Sequence, residues 1–132
     1  MKTKVTWNQE AMQIQNDEGI QVTGSAKPEE SGYTPIELMS SSLGLCLFIT
    51  ISRIFERDQL ELDLTQLSVT VDAVKAENGP SRIEQFVVDI ELPAGLDSSY
   101  RKKIILSAEK ACTIGNTLQK GAEINIQDLS KE

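Results

Sequence analysis

The chain has 132 residues, 39% hydrophobic and 25% charged, with a formal net charge of -7. That length suits one domain with its own core, and the composition is that of an ordinary globular protein. The acidic balance argues against nucleic-acid binding, which needs clustered Lys and Arg, and the lack of histidine excludes Ser-His and Cys-His dyads and His-ligated metal sites.

The opening "MKTKVTWNQE" has lysines but no apolar segment behind them, so no signal peptide is expected. The longest apolar run, Leu43 to Ile51, is too short to span a bilayer. These readings place the protein in the cytoplasm, with no membrane partner. Two cysteines in a reducing compartment are thiols rather than a permanent staple. No phosphate-cradling glycine motif occurs, and two separated cysteines make a poor zinc site, so neither metal nor cofactor is expected.

In chain order, "TKVTW" alternates Thr3, Val5 and Trp7, and "AMQIQ" sets Met12 and Ile14 on one side. After the turn signal Asn16 to Gly19, "IQV" does the same with Ile20 and Val22. This predicts a three-stranded antiparallel meander, followed by a polar loop from Ser25 to Tyr33. Thr34 and Pro35 then read as N-cap and first residue of a helix over about Pro35 to Arg57, with Glu37 in its first turn. From Leu38 to Phe55 this helix is apolar almost all round, broken by serines and Gly44. Such a helix must be covered on every side, and one small domain struggles to do that, which hints at a homodimer.

Two long alternating stretches follow, through Leu67, Val69, Val71 and Ala73 and through Phe86, Val88, Ile90 and Leu92. Asn78-Gly79-Pro80 between them signals a hairpin turn. Asp97 caps a second helix, about Ser98 to Cys112, whose apolar face carries Tyr100, Ile104, Ile105, Ala108 and Cys112. "TIGNTLQKG" reads as a break with a short helical piece, and "AEINIQ", Ala122 to Gln127, as a final strand. The class is α+β, in one domain over residues 1–132.

Cys46 and Cys112 are the only cysteines. On a helix, Met39, Ser42, Leu43, Ile49, Thr50, Arg53 and Arg57 share the face of Cys46. Arg53 leans back toward Cys46, and a guanidinium there would favour thiolate. Against this, free cysteine is a common core residue, and apolar burial makes it inert. On pattern alone both readings stand.

The segment "GYTPIELMSSSLGLC" resembles the OsmC/Ohr family signature, whose usual form is "NPEELLAAALAGC", and "CTIGNTL" resembles its second motif, "CPISNTL". The order of elements is similar over nearly the whole chain. The resemblance implies an OsmC-like fold in an intertwined homodimer. It implies thiol-dependent reduction of a small organic hydroperoxide, with Cys46 peroxidatic and Cys112 resolving, and a dithiol as reductant. Met39, Ser42, Leu43 and Ile49 would then line the substrate site beside Cys46.

The chain departs from the pattern around the first cysteine. The family arginine of the N-terminal strands is absent, since the first arginine is Arg53 and only Lys2, Lys4 and Lys27 precede it. Lysine does not replace a planar fork. Ile36 stands where the family has its catalytic glutamate, with Glu37 one position on. Thr113 and Gly115 replace the proline and serine of the second motif. A positioned acid or donor contributes about 10²–10⁴-fold, so the expected activity is weak or altered. Arg53 is the candidate replacement cation. The alternatives are a non-catalytic redox sensor or a protein binding a small apolar ligand on this scaffold, and a protein whose two thiols are core filler.

Overall fold

The computed structural model describes residues 1–28 and 30–131; of the polar loop, Glu29 lies outside the described residues. Packing divides the chain into two compact units, Met1–Gly44 with Thr70–Asp89, and Leu45–Val69 with Ile90–Glu132.

In the first unit, β1 (Thr3–Trp7), β2 (Met12–Asn16) and β3 (Gln21–Gly24) form the antiparallel meander. The register pairs Val5 with Ile14 and Ile14 with Val22, and pairs Trp7 with Met12. These side chains share one face because strand side chains alternate. Val5 and Trp7 nonetheless remain 63% and 64% exposed, so the apolar face is largely uncovered within the chain. Asn16 builds the β2–β3 turn: its Oδ1 accepts the N–H groups of Glu18 and Ile20, each at 3.0 Å. Ile20 therefore belongs to the turn and not to the strand that its alternation with Val22 suggested.

The loop returns to β3 at Tyr33, whose N–H donates to Thr23 O at 3.0 Å and whose carbonyl accepts from Ser25 N–H at 2.8 Å. Gly32 is required here, because a Cβ would sit 2.8 Å from the Thr23 carbonyl oxygen. Then α1 (Pro35–Arg57) begins. Thr34 and Glu37 form a reciprocal capping box. The Thr34 Oγ1 accepts Glu37 N–H at 3.2 Å, and Glu37 Oε1 accepts Thr34 N–H at 2.9 Å.

Ser42, Thr50 and Ser52 satisfy their hydroxyls on α1 itself, donating to the carbonyls of Met39 (2.7 Å), Cys46 (2.8 Å) and Phe48 (2.9 Å). This lets polar residues sit in an apolar helix without outside partners. The helix is not covered on every side within one chain. Leu43, Leu47, Ile51, Ile54 and Phe55 are buried in a stripe, whereas Ile36, Met39, Leu45 and Ile49 are exposed. By length and composition α1 is also sufficient to cross a membrane, because its serines and Gly44 barely lower its hydropathy. The nine-residue run understated that length, and the buried stripe is what a core helix shows.

The hairpin strands β4 (Ser68–Lys75) and β5 (Ile83–Glu91) pair with each other, and Gly79 takes a φ of 77° in the turn between them. The second unit holds the rest of α1, α2 (Ser98–Ala111) and α3 (Thr113–Lys120). Asp97 caps α2 by accepting Tyr100 N–H at 2.8 Å. Its buried set is Leu47, Ile51, Ile54 and Phe55 of α1, Leu67 after a 3₁₀ turn (Leu64–Gln66), and Ile104, Ala108 and Cys112 at four-residue spacing.

The segment Ala122–Gln127, expected as a final strand, forms none. Among the described residues it has no ladder partner, and Ile124 and Ile126 are 82% and 90% exposed. A strand needs a neighbour for its backbone groups, and apolar alternation alone supplies none.

Candidate functional site

Cys46 lies mid-way along α1, and Cys112 sits at the junction of α2 and α3. Both are in the second unit and both are free thiols, Cys46 half-buried and Cys112 1% exposed. Cys112 ends α2 and is the N-cap of α3, with φ -75° and ψ 108°. Its Sγ accepts the N–H of Gly115 at 3.2 Å, as a serine or aspartate would at that position. Its carbonyl accepts Asn116 N–H at 2.9 Å, the first backbone bond of α3.

The two thiols are neighbours, and the charge state of each bears on the other. Burial works against charge at Cys46. The Ile114 N–H, the Cys112 thiol and the Thr113 N–H outweigh it, and the Cys46 thiol is held below its ordinary value. Burial pushes Cys112 the other way. The Gly115 N–H offsets only part of this, and charge on Cys46 adds to it, so Cys112 is raised. One thiol is thereby poised to ionise and its neighbour to keep its proton.

The other sequence candidates lie as follows. On α1, Met39 and Ile49 are 43% and 38% exposed, Ser42 is half-buried and bonded to Met39 O, and Leu43 is a core residue at 7%. Arg53 is exposed and lines an open groove of about 510 Å³ with Phe55, Glu56, Leu60 and Glu61. Burial, and against it backbone N–H groups and the Cys112 thiol, set the ionisation of Cys46. Glu37 is committed to the α1 cap. The Thr34 N–H, and after it the Thr34 hydroxyl, hold its carboxyl below the usual value, which suits a cap and not a proton donor. Among the described residues, no group of three or more His, Cys, Asp or Glu could hold a metal.

Sequence reasoning weighed a cationic side chain for Cys46 and missed the first turn of α3. Cysteine is not among the preferred N-cap residues, and glycine at the third position is no capping-box partner, so the pattern alone carried little signal for this cap.

A family model described as OsmC-like protein matches residues 27–127. Among solved structures, an OsmC-like protein from Mycoplasma pneumoniae is 20% identical with a TM-score of 0.74, over 90% of this chain and 88% of that one. A structure from Psychrobacter arcticus 273-4, described as a putative osmotic stress induced and detoxification response protein, is 17% identical with a TM-score of 0.75, over 89% and 87%. The organic hydroperoxide resistance protein OhrB of Bacillus subtilis is 18% identical with a TM-score of 0.64, over 90% and 91%. No curated protein matches the chain in sequence. The extent of the family match, together with the shared fold, establishes that the chain belongs to the OsmC-like family.

Proposed function

We propose that the protein is a thiol-dependent reductase of organic hydroperoxides. The observation that carries this reading is that Cys46 and Cys112, both within the family match, are neighbouring free thiols, and their opposed ionisation accords with it. The family, and the name of the similar Bacillus subtilis protein, support the substrate class.

In the first step the Cys46 thiolate attacks the outer oxygen of ROOH. An S–O bond forms and the O–O bond breaks. Sulfur is oxidised, and RO⁻ leaves and takes up a proton from water to give ROH. In the second step the Cys112 sulfur attacks the Cys46 sulfenic acid. A disulfide forms, and the hydroxyl leaves as water with the Cys112 proton. A small dithiol returns both cysteines to thiols by exchange. The high proton affinity of Cys112 keeps it from competing in the first step.

The working form proposed is a cytoplasmic homodimer. The exposed apolar side chains of α1 and of the meander face support it, because uncovered apolar surface on this scale marks an interface. Met39 and Ile49, exposed in one chain and on the helix face of Cys46, would border the substrate site with Ser42, while Leu43 holds the helix in its core.

The test is oxidation of the reduced protein by cumene hydroperoxide and by hydrogen peroxide, followed by thiol counting and mass spectrometry. The expected outcome is rapid loss of two thiols with a Cys46–Cys112 disulfide, abolished in Cys46→Ser. Oxidation no faster than that of a free thiol would overturn the proposal.

A further inference from the structure

A thiol can open a Cys46–Cys112 disulfide at either sulfur, and which one it attacks depends on access as well as on chemistry. The two sulfurs are unequally covered. Cys112 is 1% exposed and lies on the α2 face with Ile104 and Ala108, which are 1% and 0% exposed. The Gly115 N–H sits against its sulfur at 3.2 Å. A partner subunit can only add to this cover. Cys46 is half-buried in the middle of α1, and on its own face Ser42 is half-buried and Ile49 is 38% exposed. The way in that a hydroperoxide needs is a way in to Cys46.

Ionisation acts in the opposite sense. The thiol of lower proton affinity is the better leaving group, and that is Cys46, so leaving-group chemistry alone would direct attack to Cys112. Access outweighs it. A leaving group tunes the rate of an exchange that can take place, whereas a covered sulfur exchanges only after the core around it has opened.

We infer that the reductant forms its mixed disulfide on Cys46 and expels the Cys112 sulfur, which is released facing the Gly115 N–H. The inference deepens the proposed function and rests on its internal disulfide. The first thiolate of the dithiol attacks the Cys46 sulfur. A bond from that sulfur to the reductant forms, the Cys46–Cys112 bond breaks, and its electron pair goes to the Cys112 sulfur, which takes up a proton from water. The second thiol of the dithiol, its proton given to water, attacks the reductant's own sulfur. The dithiol leaves as a disulfide, and Cys46 is freed as thiolate. Two electrons have passed from the dithiol to the protein. A freed Cys112 could also attack the mixed disulfide and close the protein again. Its high proton affinity slows that return and leaves time for the second thiol.

The test uses the wild-type protein oxidised with diamide and no peroxide. The disulfide form is treated with 2-mercaptoethanol, at concentrations raised until singly adducted protein is present. The reaction is quenched in acid at short times, and the adduct is mapped by non-reducing peptide mass spectrometry. The adduct on Cys46 should exceed that on Cys112 at least about tenfold at the earliest times, because attack on Cys112 waits for local opening. Equal adducts, or an excess on Cys112, would overturn the inference and leave the proposed function standing. If diamide yields no Cys46–Cys112 disulfide, the resolving step of the proposed function fails and this inference fails with it.

Discussion

The Cys112 sulfur accepts the N–H of Gly115 at 3.2 Å, which makes a candidate redox thiol also the cap of the helix that follows it. Serine is a stronger N-cap than cysteine, so Cys112→Ser should keep α3, whereas Cys112→Ala should lose about 1 kcal/mol from the cap alone. Thermal unfolding of the two variants checks this order. In the same Cys112→Ser protein, hydroperoxide should halt at a Cys46 sulfenic acid that a dimedone reagent captures. A disulfide-free wild type with the same capture would remove Cys112 from its resolving role.

The opposed ionisation of the two thiols sets a pH dependence. A folded value below the ordinary one keeps Cys46 partly ionised where a free thiol is protonated, so its alkylation should persist on lowering the pH past the free-thiol transition near 8.5. The raised Cys112 should react only at higher pH. For stability the signs differ. The lowered Cys46 favours the fold above its unfolded value and loses that contribution as pH falls through the folded one. The raised Cys112 favours the fold below its unfolded value and loses that contribution as pH rises through the folded one. Site-resolved alkylation by mass spectrometry separates the two, and equal profiles would contradict the asymmetry.

The Tyr100 hydroxyl donates to Asp58 Oδ2 at 2.6 Å, tying the first turn of α2 to the residue just past α1. Burial, and then the bond and charge of Asp58, push Tyr100 up to about 12. The bond should therefore survive in the folded protein through the alkaline range, with its contribution to stability lost as pH rises from the ordinary tyrosine value through about 12. Tyr100→Phe should lower the melting temperature, and the phenolate absorbance band of Tyr100 should appear only near that pH.

Much of the architecture was legible in residue patterns. Thr34-Pro35, Asp97 and Asn78-Gly79-Pro80 mark boundaries because caps and turns are local chemistry, and local chemistry is written in adjacent residues. Ala122–Gln127 was misread because alternation states which faces a strand would have, while a ladder partner is a non-local fact. The site divides the same way. The two motifs locate Cys46 and Cys112, while Arg53, sought as a cation for Cys46, lies exposed on its own groove. Thr113 replaces the proline of the family pattern, and in doing so adds an N–H that proline lacks. Glu37 was noted as a first-turn residue, and its reciprocal bond with Thr34 gives it a structural task.

That task is measurable. Thr34→Ala removes the acceptor for Glu37 N–H from a buried position and should cost about 1 kcal/mol. Glu37→Ala should weaken the same cap from the other side, with a smaller additional loss in the double variant than the two single losses imply, because the pair acts as one unit. Denaturant unfolding of the three proteins checks the coupling. Strict additivity would show that the reciprocal bonds contribute independently.

The two sides of α1 make a final contrast. Ile51 is fully buried, and Ile51→Ala should cost about 2–5 kcal/mol by loss of transfer energy and creation of a cavity. Leu45 is 62% exposed on the same helix, so a polar replacement there removes little that the single chain buries. If the exposed side of α1 is covered by a second copy, Leu45→Glu places a carboxylate in that interface, where an unpaired charge is strongly unfavourable. The expected outcome is a shift from dimer to monomer by sedimentation velocity, with the helical circular dichroism of the monomer kept. Ile51→Ala should instead lower the unfolding midpoint at every protein concentration. A Leu45→Glu protein that sediments as the wild type does would place the partner's cover elsewhere, on the meander face where Val5 and Trp7 are exposed, and the same substitution at Val5 would then be the one that yields monomers.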